Sequence, residues 1–326
     1  MKLCTFQSAG SPRRLGVVSN DESAVVPIDT LVRDARLSPN AQHALEQRGI
    51  EPADGGMLRW LQLGAEGREQ LAPRIRELRD SRVLALPMQA QTLRAPLARP
   101  GKIVGVGRNY ADHATETGVA PFEKPRIIFK VSSCVADPGA MVAAPPSVVK
   151  FDFEAELAVV IGDFAHAVDE ADALSYVAGY TALNDMSARE FQFDVSPPQT
   201  TFAKSMDGFC PLGPWLVSAE DIPDPQALDV RCRVNGEPMQ DANTSQMLFP
   251  VRTLIAYVSG FMTLEPGDVI ATGTPAGIGA FRKPPRWLRP GDTVEVDVQR
   301  IGILRTGVVR AGGTRDAQSI WPMSKA

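Results

Sequence analysis

Along the stretch FDFEAELAVVIG, residues 151 to 162, side chains change character with period two. Phe153, Ala155, Leu157 and Val159 fall on one side of an extended chain, and Glu154 and Glu156 on the other. The pattern predicts a β-strand with an apolar face and an opposite face carrying two acids. Earlier in the chain, MLRWLQLGAEGREQLAPRIRELRD repeats apolar residues three and four apart, the spacing of an amphipathic helical segment. Ahead of it, MKLCTFQSAG and RLGVVSN read as strand-like openings.

Pro87, Pro96 and Pro100 punctuate the chain, and from Gly101 onward short β-branched runs alternate with Gly and Pro. A Pro-Gly-Asp turn occurs twice, in EPGDVIATGTP and RPGDTVEVDV, each time ahead of a strand-like run. The predicted organisation is a small N-terminal α/β domain over 1–95, a mainly β domain over 100–312 and a C-terminal tail over 313–326. The fold class is α+β, mainly β.

Composition then narrows the partners. A chain of 326 residues with 44% hydrophobic content can build a sizeable core. A formal net charge of −4 offers no basic footprint, which argues against nucleic acid. There is no basic-then-apolar leader and no run of about 18 apolar residues, so neither a secretion signal nor a membrane span is expected, and the cytoplasm is the default location. Cys4, Cys134, Cys210 and Cys232 are scattered without a C-x-x-C pair and read as free thiols. Only His43, His113 and His166 are available as imidazole ligands, so any metal must be held by oxygen.

The two acids of the 151–162 stretch then demand explanation. Like charges side by side repel, and burying them unpartnered costs about several kcal/mol each. A positive group is therefore expected between them, unless the face is the solvated side of an edge strand. A third acid, Asp185, ends an apolar strand-like run in YVAGYTALNDMSAREFQ, followed by an expected helix start at Ser187 with Arg189 and Gln192 on one helical face. Alone, Asp185 is as well explained as a helix cap. Three carboxylates without thiolate or imidazole suit a hard cation, Mg²⁺, Mn²⁺ or Ca²⁺.

The chain resembles the fumarylacetoacetate hydrolase superfamily in GVGRNYADHATE (105–116), FDFEAELAVVIG (151–162), YTALNDMSAREFQ (180–192) and GDVIATGTPAGIG (267–279), with TFAKSMDGFCPLGPWLV (201–217) supplying an expected lysine. The match runs in order over about residues 100 to 310. The resemblance implies the family's β roll, divalent-metal ligation by Glu154, Glu156 and Asp185, and a homodimer. It further implies a lid-borne pair, His113 and Glu116, in which the carboxylate orients a general-base imidazole. The same pair standing alone would read as a surface histidine with a helix salt bridge. Lys130 departs from the pattern: many relatives follow this lysine with proline, whereas here Val131 follows, so Lys130 reads equally as a substrate contact, a structural group or a solvated one. GVGRN lacks the third glycine of a dinucleotide fingerprint and GTPAGIG lacks the Lys-Ser/Thr of a phosphate loop.

The implied function is that of a metal-dependent hydrolase of a 2,4-dioxo acid, such as an acylpyruvate or fumarylpyruvate, that yields pyruvate and a carboxylic acid. In this scheme His113, oriented by Glu116, activates water, Lys204 faces the developing oxyanion, and Arg189, Gln192, Thr274 and Lys130 contact the substrate. The same site without water would decarboxylate an oxaloacetate-type acid or isomerise a 2-hydroxy-dienedioate. A different class of reading is an inactive relative that binds 2-oxo acids.

Overall fold

The computed structural model describes residues 1–116, 120 and 122–311, with the side chains of residues 113–115 outside that description. The expected tail over 313–326 therefore lies outside the described residues. What is described is α+β and mainly β, with two sheets carrying most of the architecture.

The larger sheet begins with the N-terminal hairpins. Strand Lys2–Gln7 pairs antiparallel with Arg14–Val18 on one side and with Cys210–Ser218 on the other, where Leu3 lies opposite Leu216. The sheet then continues through Val177–Asn184, Ala155–Ile161, Val269–Ala271, Ile103–Gly107 and Arg126–Lys130. The strands of the first hundred residues and those of the later region thus share one hydrogen-bonded ladder. Gly179 sits where Val177–Asn184 crosses close to its neighbour: a Cβ there would come within 2.2 Å of the Val217 carbonyl oxygen, so no other residue fits.

A second sheet runs Glu237–Asn243, Asp229–Val234, Thr293–Val298, Gly302–Val309, Met141–Ala143. Its inward side chains, among them Val230, Val296 and Leu304, pack with Leu157 and Val159 of the first sheet in one buried cluster. The opposite face of the first sheet presents Ala158 and Val160 to a second cluster that includes Trp60, Leu61 and Ile75 of the N-terminal helices. Strand Ala155–Ile161 is therefore buried on both faces, and each fully enclosed Leu or Val contributes about 1.5–3 kcal/mol.

Two sequence expectations need correction. The amphipathic segment after Met57 is two helices, Gly56–Gln62 and Gly64–Ser81, separated at Leu63 because Gly64 takes a φ of 74° that breaks helical continuity. The 151–162 stretch is likewise not one strand with one apolar face. Phe151–Asp152 pairs separately with Ser187–Ala188, and the long strand starts at Ala155. Within that strand Glu156 shares a side with Ala158 and Val160, so that side turns apolar once past Glu156. Both Pro-Gly-Asp turns do deliver strands, Val269–Ala271 and Thr293–Val298, each through a glycine with positive φ.

Candidate metal centre

The break at Phe153–Glu154 is held open by side-chain amides. Glu154 N donates to Asn184 Oδ1 at 3.1 Å and Ala155 N donates to Gln240 Oε1 at 2.9 Å, supplying partners where a ladder would have done so. Asp185, just past the end of Val177–Asn184, donates its N–H to the Glu154 carbonyl at 2.9 Å. These contacts bring Glu154, Glu156 and Asp185 together: one carboxylate oxygen from each lies within 4.8 Å of the others, and all three residues are buried.

The cations expected beside the acids are present. Lys204, just after the short helix Thr200–Ala203, donates to Glu154 Oε2 at 2.8 Å, Asp185 Oδ2 at 2.6 Å and Ser187 Oγ at 2.9 Å. Arg189 donates through Nε to Asp152 Oδ2 at 2.8 Å, through Nη2 to Glu154 Oε1 at 2.6 Å and through Nη1 to Gln192 Oε1 at 2.8 Å. Lys130 is buried and donates to Asp185 Oδ1 at 2.7 Å and to the carbonyls of Lys204 and Phe209. The solvated reading of Lys130 therefore falls away, because its ammonium is enclosed and fully partnered. The expected helix start at Ser187 also falls away: Ser187 lies in a two-residue strand, its hydroxyl serves Lys204, and the helix spans Arg189–Phe193.

Glu156 stands apart among these groups. Its Oε2 accepts from Gly273 N at 2.9 Å, and among the described residues no cation pairs with it. Burial, followed by the nearby charges of Asp185 and Glu154, pushes its carboxyl well above the usual range. Counting Asp152, Glu154, Glu156 and Asp185 against Lys130, Arg189 and Lys204 leaves one excess negative charge. The donor set fits a divalent cation. Oxygens on opposite sides of such an ion lie about 4–5 Å apart, the donors are all hard carboxylates, and a cation would supply the partner Glu156 lacks.

All of these acids except Asp152, together with Lys130, Lys204, Arg189, Gln192 and Thr274, border one cavity. Thr274 is held rather than free: its hydroxyl donates to the Ala155 carbonyl at 2.9 Å and accepts from Gln240 Nε2 at 2.7 Å. On the same loop, Gly277 N donates to the Glu116 carboxylate at 3.1 Å, so helix Ala111–Glu116 is tied to the wall of the site. The His113 side chain lies outside the described residues.

Sequence reasoning missed Asp152, which is wholly buried and accepts from Arg189, Phe153 N, Gly279 N and Ala280 N at 2.8–3.0 Å. Its signal was available, since it precedes Glu154 by the same two-residue step that separates the glutamates. Gln240 was missed because it arrives from the other sheet. Arg108 and Arg126 also border the cavity; Arg126 was missed because nothing marks it in sequence, and Arg108 because the GVGRN run was weighed only as a glycine motif. The departure at Val131 acquires a local reason: Val131 N donates to Ser205 Oγ at 3.1 Å, a bond proline could not make.

Among the described residues no helix is long and apolar enough to cross a membrane. In comparison with known proteins, the chain is 43% identical over 235 residues to "oxaloacetate tautomerase FAHD2A, mitochondrial" of Bos taurus, covering 72% of this chain and 75% of that protein. Among solved structures it resembles maleylpyruvate hydrolase from Sphingobium sp. SYK-6 in complex with manganese (II) ion and pyruvate, with a TM-score of 0.74, 28% identity, and 96% and 100% of the two chains covered. It also resembles 2-hydroxyhepta-2,4-diene-1,7-dioate isomerase from Mycobacterium marinum, with a TM-score of 0.68, 31% identity, and 96% and 100% covered. Residues 102–309 match the family described as fumarylacetoacetate (FAA) hydrolase C-terminal. The stretch that builds the acidic cluster lies inside that match, and this chain belongs to the fumarylacetoacetate hydrolase family of enzymes.

Proposed function

We propose that this chain hydrolyses a C–C bond of a 2,4-dioxo acid of acylpyruvate or fumarylpyruvate type, with Mg²⁺ or Mn²⁺ held by Glu154, Glu156 and Asp185. The observation that carries the reading is the convergence of those three buried carboxylates on one cavity, with the helix bearing His113 and Glu116 tied to its wall. A divalent cation held there supplies Lewis acidity toward the 2-oxo acid end of the substrate.

The chain's own residues account for the rest. His113, oriented by Glu116, takes a proton from water, and the resulting hydroxide adds to the C4 carbonyl. The C4 oxyanion re-forms a carbonyl as the C3–C4 bond breaks, its electron pair moving toward the C2 carbonyl oxygen, and the proton held by His113 is returned to C3 to give pyruvate and a carboxylic acid. Lys204 brings positive charge to the oxyanion at C4, although its three protons are engaged and one must turn from its present acceptor. Arg189, braced by Asp152 and Glu154, orients Gln192 at the cavity edge, while Lys130 steadies Asp185. Thr274 lends its backbone loop to the same wall. We read the assembly as a homodimer working in the cytoplasm, and a sedimentation mass of a single chain would overturn the first part.

The test uses chelator-stripped protein with acetylpyruvate, following substrate absorbance and pyruvate release with and without Mg²⁺ or Mn²⁺. Metal-dependent cleavage, abolished in Glu156→Ala and lost in His113→Ala with metal binding retained, supports the reading. Normal hydrolysis by His113→Ala overturns the base assignment. A second reading is favoured by the 43% identity to a protein named oxaloacetate tautomerase: proton transfer at C3 of oxaloacetate in the same cavity, or the related decarboxylation. Turnover of oxaloacetate with silence on acetylpyruvate would select it.

A further inference from the structure

All four cysteines are buried free thiols, but they divide two and two. Cys4 and Cys232 belong to the cluster that holds Leu157 and Val159, where burial first, and then the charges of Asp29 and Asp152 respectively, push each thiol above its usual range. Thiols of that kind are inert. Cys134 and Cys210 belong to the cluster shared with the N-terminal helices, and there they meet. Strand Cys210–Ser218 pairs in parallel with the short strand Val135–Ala136, with Cys210 opposite Val135. Cys134 comes one residue earlier and is offset by one step from Cys210. With about 4.8 Å between strands and about 3.3 Å along them, the two Cα atoms lie about 6 Å apart, inside the roughly 4.4–6.8 Å that a disulfide spans. The Cys210 thiol donates a hydrogen bond to the Cys134 sulfur. That bond, with the Lys130 charge behind it, holds the Cys134 thiol below its usual range against the opposing pull of burial.

The pair sits directly behind the acidic cluster. Lys130 leads into the turn that carries Cys134, which closes with Cys134 N donating to the Val131 carbonyl at 3.1 Å. The Lys130 ammonium donates at 3.2 Å to the carbonyl of Phe209, the residue before Cys210, and at 2.7 Å to Asp185 Oδ1. Lys130 therefore hangs from both cysteine-bearing segments while it holds a carboxylate of the cluster. Burial does not seal the pair off: Ser133 and Val135, on either side of Cys134, border a surface cavity of about 480 Å³ through which a small uncharged oxidant can approach.

We propose that Cys134 and Cys210 form a redox switch, in which a peroxide closes them into a disulfide and the closed bond shifts the seat of Lys130, so that Asp185 helps to hold a divalent cation less tightly. The oxidation balances. The Cys134 thiolate attacks one peroxide oxygen, the O–O bond breaks, and the hydroxide released takes up the proton that Cys134 gave, leaving water and a sulfenic acid. The Cys210 sulfur then attacks the Cys134 sulfur, and its thiol proton leaves with the displaced hydroxide as a second water. Two thiols and one peroxide thus give one disulfide and two waters, and a dithiol reductant reverses the change. Closing the bond draws the sulfurs from hydrogen-bond contact to covalent distance. The turn after Lys130 and the Phe209 carbonyl are pulled together, and the ammonium loses the position from which it reaches Asp185. Groups that brace a metal ligand from behind govern about 10–100-fold in metal affinity. The coupling rests on the reading of Glu154, Glu156 and Asp185 as metal ligands, whereas the disulfide does not.

The test needs no turnover. The chelator-stripped full chain is treated with hydrogen peroxide, freed of it and read in three ways. Thiols titrated in denaturant should fall from four to two. A non-reducing digest should show the Cys134 peptide joined to the Cys210 peptide, and calorimetry should find Mn²⁺ affinity lowered by about tenfold. Dithiothreitol should restore all three. In Cys134→Ser no cross-link forms and peroxide leaves Mn²⁺ affinity within about twofold. Cys210→Ala behaves alike and stands in if the serine variant does not fold. Four thiols that survive peroxide, or a cross-link between any other cysteines, would overturn the disulfide. A Cys134–Cys210 cross-link with Mn²⁺ affinity unchanged overturns the switch, as does a peroxide-induced loss of affinity that persists in Cys134→Ser. If the cross-link forms but the reduced chain binds no Mn²⁺, the metal reading fails and the coupling fails with it, while the disulfide stands.

Discussion

The two ends of strand Ala155–Ile161 are both buried, yet they are held by opposite physics. At the apolar end Leu157, Val159 and Ile161 are fully enclosed by hydrocarbon from the second sheet. At the other end Glu156, with Glu154 just before the strand and Asp185 beside it, is enclosed by charges that Lys204 and Arg189 offset only in part. Burial at the first end yields stability directly. Burial at the second consumes it, since ion pairs removed from water gain little over well-packed hydrocarbon. The comparison teaches that this strand carries its functional groups where they are costly to keep, and the most costly is Glu156, which lacks a cation among the described residues.

The largest effect should come from that residue. Glu156→Gln keeps the shape and removes the charge, and metal-dependent turnover should fall by about a thousandfold or more, equivalent to several kcal/mol of transition-state stabilisation. Thermal unfolding of the same variant in chelator should show no loss, because the repulsion from Glu154 and Asp185 is relieved. A drop of more than about 1 kcal/mol in that experiment would show that Glu156 stabilises the fold, and the contrast between the two ends would collapse.

Next in size is Lys204→Met. Removing the ammonium leaves Glu154 and Asp185 buried without one of their principal partners, which should cost about 3–5 kcal/mol by denaturant titration. Leu157→Ala, at the apolar end, should cost about 2–5 kcal/mol through lost transfer energy and the cavity left behind, with its Mn²⁺ affinity kept. A Leu157→Ala protein that loses metal while remaining folded would mean the two ends are mechanically coupled.

The same division governs how far these regions were legible in the sequence. The alternation of Phe153, Ala155, Leu157 and Val159 announces the apolar side, and the spacing of Glu154 and Glu156 announces a shared acidic side. Asp185 at the end of an apolar run was also readable. The partners were not: Arg189 reaches Asp152 across 37 residues, Gln240 crosses from the other sheet, and Glu116 meets Gly277 over 161 residues. Such contacts depend on which strands pair, and period-two patterns say nothing about pairing. The interruption at Phe153–Glu154 was equally invisible, because it is made by the amides of Asn184 and Gln240 and not by any breaker residue in the stretch. The antiparallel pairing of Lys2–Gln7 with Cys210–Ser218 was hidden for the same reason.

The smallest effect concerns Val131, next to Lys130 at the rim of the charged region. Its φ of −77° lies within reach of proline and Lys130 before it is extended, so the backbone accepts Val131→Pro once the Ser205 hydroxyl, which faces the Val131 nitrogen, rotates away from the ring's Cδ. The substitution removes the bond from Val131 N to Ser205 Oγ, worth about 1 kcal/mol. In return it stiffens the unfolded chain, worth about 0.4–1 kcal/mol. The two nearly cancel, so Val131→Pro should change stability by less than about 1 kcal/mol. In a double-mutant cycle, Ser205→Ala should cost less in the proline background than in the parent, because its bond partner is already gone. If the proline variant instead loses several kcal/mol, the Val131 to Ser205 contact is pinning Lys130 against Asp185, and the charged end of the site depends on its rim far more than its buried ion pairs imply.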